Sequence, residues 1–213
     1  MNKEEKGTVF IVDDDPQVRN GVTRLLNSAG YNAKAFPSSK EFLASDIHVL
    51  GPACIVLDIN MPGLSGLELQ EELSKANYKM PIIFITGHGD IPSSVKAMKK
   101  GAVDFLSKPF EEKKLFDAVS VALKKDSKTR SDLSELEEIK QKIDKLTLRE
   151  YEVLTFVIAG ALNKQIAYKL NITEKTVKAH RAKVMAKIGV NSVAELVRIA
   201  EKIGIKPAEI NLE

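Results

Sequence analysis

The chain has 213 residues, 44% hydrophobic and 29% charged, with a formal net charge of +3, a balance that is globular rather than disordered or membranous. No apolar run approaches the ~20 residues of a membrane-spanning helix, and the polar start MNKEEKG lacks the basic-then-apolar order of a signal peptide, so a soluble, cytoplasmic protein is expected. The single cysteine, Cys54, sits inside the apolar run ACIVL, which excludes an internal disulfide framework or a cysteine zinc site and makes it a core residue.

Charge is unevenly spread. Residues 1–140 carry 19 Lys and Arg against 21 Asp and Glu, net −2, whereas residues 141–213 carry 13 against 8, net +5. The basic C-terminal third therefore points to nucleic acid as a polyanionic partner.

In chain order the first element is the β-branched run VFIV, which ends in three consecutive aspartates, Asp13, Asp14 and Asp15. Like charges so close repel, so something at the end of this strand must favour negative charge. A helix follows: Asp15 is a natural N-cap, Pro16 suits the first turn, and Val18, Val22, Leu25 and Leu26 form an apolar face that ends near Gly30. YNAKAF supplies a weaker strand, and ACIVL, PIIFI and VDFL supply three more, separated by amphipathic stretches. The alternation predicts five βα units and a doubly wound parallel sheet. A further helix is expected over about residues 111–125, after which the polar stretch DSKTRSD reads as a hinge or break. Beyond it Leu133, Leu136, Ile139, Ile143 and Leu146 recur at helical steps, a stripe that either docks on a flanking domain or pairs with a second copy of itself. From LTLREYEVL to the end every segment reads as helical, interrupted at LNIT and GVNS.

In an open parallel sheet, ligands gather beyond the carboxyl ends of the strands. The residues there are Asp13 and Asp14 after the first strand, Asp58 at the end of CIVL, Thr86 after IIFI, and Lys108 followed by Pro109 after VDFLS. Crowded carboxylates suit a hard divalent cation such as Mg²⁺, which takes one or two carboxylates and works beside phosphate. A carboxylate can also be a nucleophile toward phosphorus while a metal and a lysine neutralise the transferred oxygens. Asp58 is the best nucleophile candidate, at a strand terminus before the turn marked by Pro62 and Gly63. Singly, Thr86 could be a turn hydroxyl, Lys108 a surface lysine and Asp13 a loop residue; their joint occurrence at successive strand ends favours a site. A competing chemistry is a Mg²⁺-dependent phosphohydrolase, since Asp13 and Asp15 also form a DxD pair; Pro16 after that pair and an Asp58 left without a role weigh against it.

The segments VFIVDDDP, VLDINMPGLSG, FITGHGD and AMKKGAVDFLSKPF resemble the receiver domain of two-component response regulators over roughly residues 7–125. The resemblance implies that Asp58 accepts a phosphoryl group from a sensor histidine kinase. It also implies that Asp14, Asp58 and the main-chain carbonyl of Asn60 bind Mg²⁺, with Asp13 assisting through a bound water. Thr86 would hydrogen-bond a phosphoryl oxygen, Lys108 would pair with the phosphate, and Phe105 occupies the position of the switch aromatic, where receivers often carry tyrosine. His88 reads as part of a loop that reports phosphorylation, and the segment from Ile91 to Gly101, helical from about Pro92, as the surface that meets a partner. Such a receiver is not an enzyme beyond its own phosphoryl transfer and slow autodephosphorylation.

The stretch LNKQIAYKLNITEKTVKAHRAKVMAKIGV has the pattern of a helix-turn-helix, with Thr173 capping the second helix and Val177, Val184 and Ile188 on its core face. The opposite face carries Lys175, Lys178, Ala179, Ala182, Lys183 and Ala186, small and basic residues that can approach the major groove. Together with LTLREYEVL and SVAELVRI, it resembles the LuxR-type output domain, and the whole chain resembles the FixJ subgroup of the NarL/FixJ family. That resemblance implies Thr176, Lys178, Ala179 and Ala182 toward base edges, and Asn163, Lys164, Lys175, Arg181 and Lys183 on phosphates. Arg181 lies partway toward the core face and would have to snorkel outward, and His180 reads as packing at the core margin. The expected architecture is an α/β receiver, a (βα)5 doubly wound sheet over residues 1–125, a helical linker over 126–143, and an all-α four-helix helix-turn-helix domain over 144–213. Expected partners are the kinase, double-stranded promoter DNA, a second copy of the chain on phosphorylation and RNA polymerase, with no membrane.

Overall fold

The computed structural model describes residues 6–47, 49–87 and 91–209, without the side chains of residues 91–93. The chain divides into two compact units, residues 1–130 and 131–213. In the first, β1 (Thr8–Val12), α1 (Pro16–Ser28), β2 (Asn32–Phe36), α2 (Ser39–Ala44), β3 (Ala53–Asp58), α3 (Gly66–Lys75), β4 (Ile82–Thr86), α4 (Ile91–Lys99) and β5 (Asp104–Ser107) alternate as expected, followed by α5 (Glu112–Asp144). All strand pairs are parallel, in the order β2-β1-β3-β4-β5. Strand order reverses around β1, and the crevice this opens at the carboxyl ends is where such sheets bind ligands.

β1, β3 and β4 are buried at every position, because helices cover both faces of the sheet, and their near-continuous apolar runs follow from that. Alternate side chains feed two core layers. Val9, Ile11, Val56, Ile83 and Ile85 meet Val22, Leu26, Leu115 and Val119 of α1 and α5. Phe10, Val12, Ile55, Leu57 and Phe84 meet Phe42, Leu69 and Ala97 of α2, α3 and α4. Cys54 belongs to the first layer, where burial pushes its thiol above its ordinary value and leaves it inert. α1 starts as anticipated, the Asp15 side chain accepting from Gln17 N at 2.8 Å, and it ends at Ser28, just short of Gly30. No helix among the described residues is long and apolar enough to cross a membrane.

The expected break at DSKTRSD does not occur: α5 continues through it. The stretch contains neither glycine nor proline, and its polar residues serve an anchor. Asp126, 4% exposed, accepts from the backbone N–H of Ala53 at 2.8 Å and from Arg130 Nε at 2.5 Å, and Arg130 Nη1 donates to the Val49 carbonyl at 3.2 Å. The helix is thereby tied to the start of the strand that ends in Asp58. Asp126→Ala would strand the buried Ala53 N–H and is expected to destabilise the first unit by about 2 kcal/mol, read as a lower urea midpoint, while Asp126→Asn, which keeps an acceptor, loses less.

The second unit holds the rest of α5 and four helices, α6 (Leu148–Ile158), α7 (Asn163–Leu170), α8 (Glu174–Ile188) and α9 (Val193–Ile203). Its core gathers Val153, Leu154, Val157, Ile166, Val177, Val184, Ile188 and Leu196, with Ile143 and Leu146 packed against it. Ile139 is also buried, whereas Leu133 stays 42% exposed, so the apolar stripe docks on its own unit over its C-terminal half. Asn171, at φ 52°, closes α7, and Thr173 caps α8 by accepting from Thr176 N at 3.2 Å. The helical expectation fails beyond α9: after Gly204, at φ 76°, residues 205–209 leave the helix. Ile205 returns to the core, and Ala208 N donates to the Thr155 carbonyl at 3.0 Å.

Candidate functional site

The carboxyl ends of β1, β3, β4 and β5 deliver the anticipated residues to one place. Asp13, fully buried, accepts from Asp15 N at 2.9 Å through Oδ1 and from Lys108 Nζ at 2.6 Å through Oδ2. Lys108 Nζ also donates to Asp58 Oδ2 at 2.9 Å, and the Lys108 backbone N–H donates to the Thr86 carbonyl at 2.7 Å, pinning the residue to the end of β4. Asp58 Oδ1 accepts from Asn60 N at 3.3 Å, and Asn60 Nδ2 donates to the buried Thr86 Oγ1 at 3.4 Å. Asp14 is exposed, and carboxylate oxygens of Asp13, Asp14 and Asp58 lie within 4.8 Å of one another. Asp15 caps α1 instead, so the acidic triplet divides into two site residues and one helix cap.

Burial pushes the Asp13 carboxyl above its ordinary value; hydrogen bonding and charge from Lys108 oppose this, and the charge of Asp58 adds to it. Burial disfavours the Lys108 ammonium, but hydrogen bonds to Asp13 and Asp58 and their charges outweigh it and hold its pKa above the ordinary value. Three carboxylates face one ammonium, leaving a negative site built from oxygen donors. Mg²⁺ takes one or two carboxylates directly and keeps several waters that can reach a further one, which suits three carboxylates whose oxygens lie within 4.8 Å of one another. The donor set fits that ion.

Phe105 is half-buried, pairs in register with Phe84, and packs against the second core layer. His88 lies outside the described residues. α4 begins at Ile91, within one residue of the expected start, and its Val95 and Met98 are each 45% exposed. Beside Lys108, an open groove of about 570 Å³ is lined by Val18, Val22 and Leu25 of α1 and by Phe110.

Two residues of this site went unassigned in the sequence. Gly66 opens α3 so close to β3 that an added Cβ would lie 2.1 Å from the Asp58 carbonyl oxygen. Its signal was present as the last glycine of MPGLSG. Arg19, one turn into α1, donates through Nη1 to the Asp13 and Asp14 carbonyls at 2.8 and 3.1 Å and braces the acidic loop; no motif flags it.

In the second unit, α8 exposes Lys175, Lys178, Ala179, Ala182 and Lys183, with Thr176 half-exposed, and Lys164 is exposed at the start of α7. Arg181 does not turn outward alone: its Nη1 donates to Asn163 Oδ1 at 2.7 Å. His180 is half-buried at the core margin, with Nδ1 unpartnered.

A family model described as response regulator receiver domain matches residues 9–120, and one described as bacterial regulatory proteins, luxR family, matches residues 144–200. The chain is a two-component response regulator with a LuxR-type DNA-binding domain. This regulator is 46% identical over 200 residues to Nodulation protein W of Bradyrhizobium diazoefficiens, covering 94% of this chain and 88% of that one. It is 38% identical over 200 residues to Transcriptional regulatory protein FixJ of the same species, covering 94% and 97%. Among solved structures it resembles the response regulator StyR at 47% identity and a TM-score of 0.81, covering 92% of this chain and 99% of that one. It also resembles full-length FixJ from B. japonicum at 38% identity and a TM-score of 0.57, covering 94% and 98%. The FixJ-like character read from the motifs agrees with both comparisons.

Proposed function

We propose that this regulator is switched by Mg²⁺-dependent phosphorylation of Asp58 by a sensor histidine kinase, and that phosphorylation promotes receiver dimerisation and promoter binding. The observation that carries the reading is the Lys108 ammonium held between Asp13 and Asp58 at 2.6 and 2.9 Å, in the crevice beyond the strands. A carboxylate oxygen of Asp58 attacks phosphorus in line. A P–O bond forms as the P–N bond to the donor imidazole breaks, the bonding pair staying on that ring nitrogen; with a proton already on its other nitrogen, the imidazole leaves neutral. Lys108 follows the charge from the carboxylate to the phosphoryl oxygens, and the Thr86 hydroxyl donates to one of them. Asp14, Asp58 and the Asn60 carbonyl would hold Mg²⁺, with Asp13 acting through water; when bound, the ion offsets negative charge on the transferred oxygens. The apolar groove beside Lys108 suits an amphipathic helix that presents a phosphohistidine.

As Thr86 turns toward the phosphate, Phe105 moves inward, and α4 with the exposed Val95 and Met98 becomes the face for a second copy. The receiver spans residues 1–125 with the Asp126–Arg130 anchor as its margin, a helical linker runs to 143, and the DNA-binding domain follows from 144. There Thr176, Lys178, Ala179 and Ala182 face base edges, with Lys164, Lys175 and Lys183 on phosphates; two output domains then meet a two-fold symmetric site. RNA polymerase is a further partner of an activating regulator.

Selected-site DNA binding with and without acetyl phosphate tests the reading. Phosphorylation is expected to tighten specific binding roughly tenfold or more, in proportion to its coupling free energy, and Lys178→Ala to weaken specific binding far more than binding to random DNA. Unchanged affinity after phosphorylation would instead mark a constitutive DNA-binding protein whose receiver only dimerises.

A further inference from the structure

We infer that Arg181 acts on DNA through Asn163, as a positioning residue that fixes the amide with its Nδ2 donors toward a backbone phosphate, and is not itself a phosphate contact. The inference rests on the reading of α7 and α8 as the DNA-facing elements.

Arg181 projects from the core side of α8. With Val153, Val157, Val184, Met185 and Leu196 it lines a void of about 10 Å³, no more than the space of a single water. The aliphatic stem is thus packed, and the head emerges at the edge of the core. What it meets there is the first residue of α7: Nη1 reaches Asn163 Oδ1 at 2.7 Å, the length of a charge-assisted bond.

Donor chemistry then dictates the rest. A guanidinium has donors and no acceptor, so the amide must turn its oxygen to Arg181 and its NH₂ away. Among the described residues, Asn163 Nδ2 donates to no protein group. A phosphate oxygen only accepts, so an amide held in this sense always offers it the right atom, whereas a free amide also offers its own oxygen. The adjacent cation further polarises the amide and strengthens the outward N–H donors. Lys164, exposed next in the chain, supplies the charge that draws the phosphate in.

The test is a double-mutant cycle on DNA binding by the full-length, phosphorylated protein on its selected site, at several salt concentrations, with the fold of each variant checked by thermal melting. N163A and R181M are each expected to weaken binding roughly tenfold, and the double mutant is expected to be no weaker than N163A. R181M should leave the slope of log affinity against log salt unchanged, and R181K, whose ammonium can still donate to Asn163, should recover most of the binding only while Asn163 is present. Losses that multiply to roughly a hundredfold, or a slope reduced by ~0.9 in R181M, would make Arg181 a direct phosphate contact and overturn the inference. Should R181M fail to fold, R181Q, which keeps a polar stem but no charge, takes its place in the cycle: its loss vanishes in the N163A background with the salt slope unchanged, or the inference falls. If N163A binds like the wild type while Lys178→Ala does not, this inference fails and the reading of the DNA face stands; if neither substitution matters, that reading fails as well.

Discussion

Gly66→Ala is expected to destabilise the receiver by at least ~3 kcal/mol and to slow phosphorylation of what remains folded by roughly a hundredfold. The new Cβ would lie 2.1 Å from the Asp58 carbonyl oxygen, 3.0 Å from its carbon and 3.1 Å from Ile59 Cα. All three are backbone atoms, so no side chain can swing aside. Either the start of α3 retreats or the end of β3 moves, and that end carries Asp58. Its contact with Lys108, at 2.9 Å, would be the first to lengthen. Urea unfolding and the rate of labelling by acetyl phosphate read the two effects separately, and a variant with wild-type stability would show that β3 and α3 do not approach this closely.

Glu150→Ala is the second large effect, expected to cost the DNA-binding domain about 2 kcal/mol, because it removes a buried carboxylate that accepts from the Thr147 N–H and from a partly exposed Lys187. Glu150, 3% exposed, accepts from Lys187 Nζ at 2.5 Å and from Thr147 N at 2.8 Å, and Lys187 also donates to the Lys145 carbonyl at 3.0 Å. One carboxylate thus caps α6 and ties its start to the end of α8. The hydrogen bond from Lys187, then that from the Thr147 backbone, hold the Glu150 carboxyl at about 2, well below its ordinary value. A depressed folded value means that the stabilisation is complete above the unfolded value of ~4.3 and is lost as pH falls toward the folded one. Calorimetry of the full chain should therefore show a DNA-binding domain whose stability declines between pH ~4.5 and about 2. In Glu150→Gln that part of the decline disappears; an unchanged pH profile in this variant would remove Glu150 from the account.

Much of this is legible in the sequence. The strand-end residues could be placed because a parallel sheet converts position in sequence into position in space: whatever follows an apolar run lies at one edge. Asp13, Asp14, Asp58, Thr86 and Lys108 were readable for that reason, and Asp15 because N-caps are a local matter. What escaped depends on contacts between distant segments. DSKTRSD looked like a hinge since polarity alone does not distinguish a solvated break from an anchor, and only the fold brings Asp126 to Ala53. The Arg181–Asn163 bond was equally hidden, because helical spacing gave the direction of Arg181 but not the residue waiting at its tip. The sequence reads as helical to its end, but Gly204, in the left-handed region, closes α9, and Ile205 packs on the core without being helical.

The central claim is that Asp58 is the phosphoacceptor, and intact-mass measurement of the full chain after incubation with Mg²⁺ and acetyl phosphate tests it most directly. The account predicts one added phosphoryl group on the wild type, none on Asp58→Asn, and strongly reduced labelling when Mg²⁺ is chelated. Undiminished labelling of Asp58→Asn would contradict it.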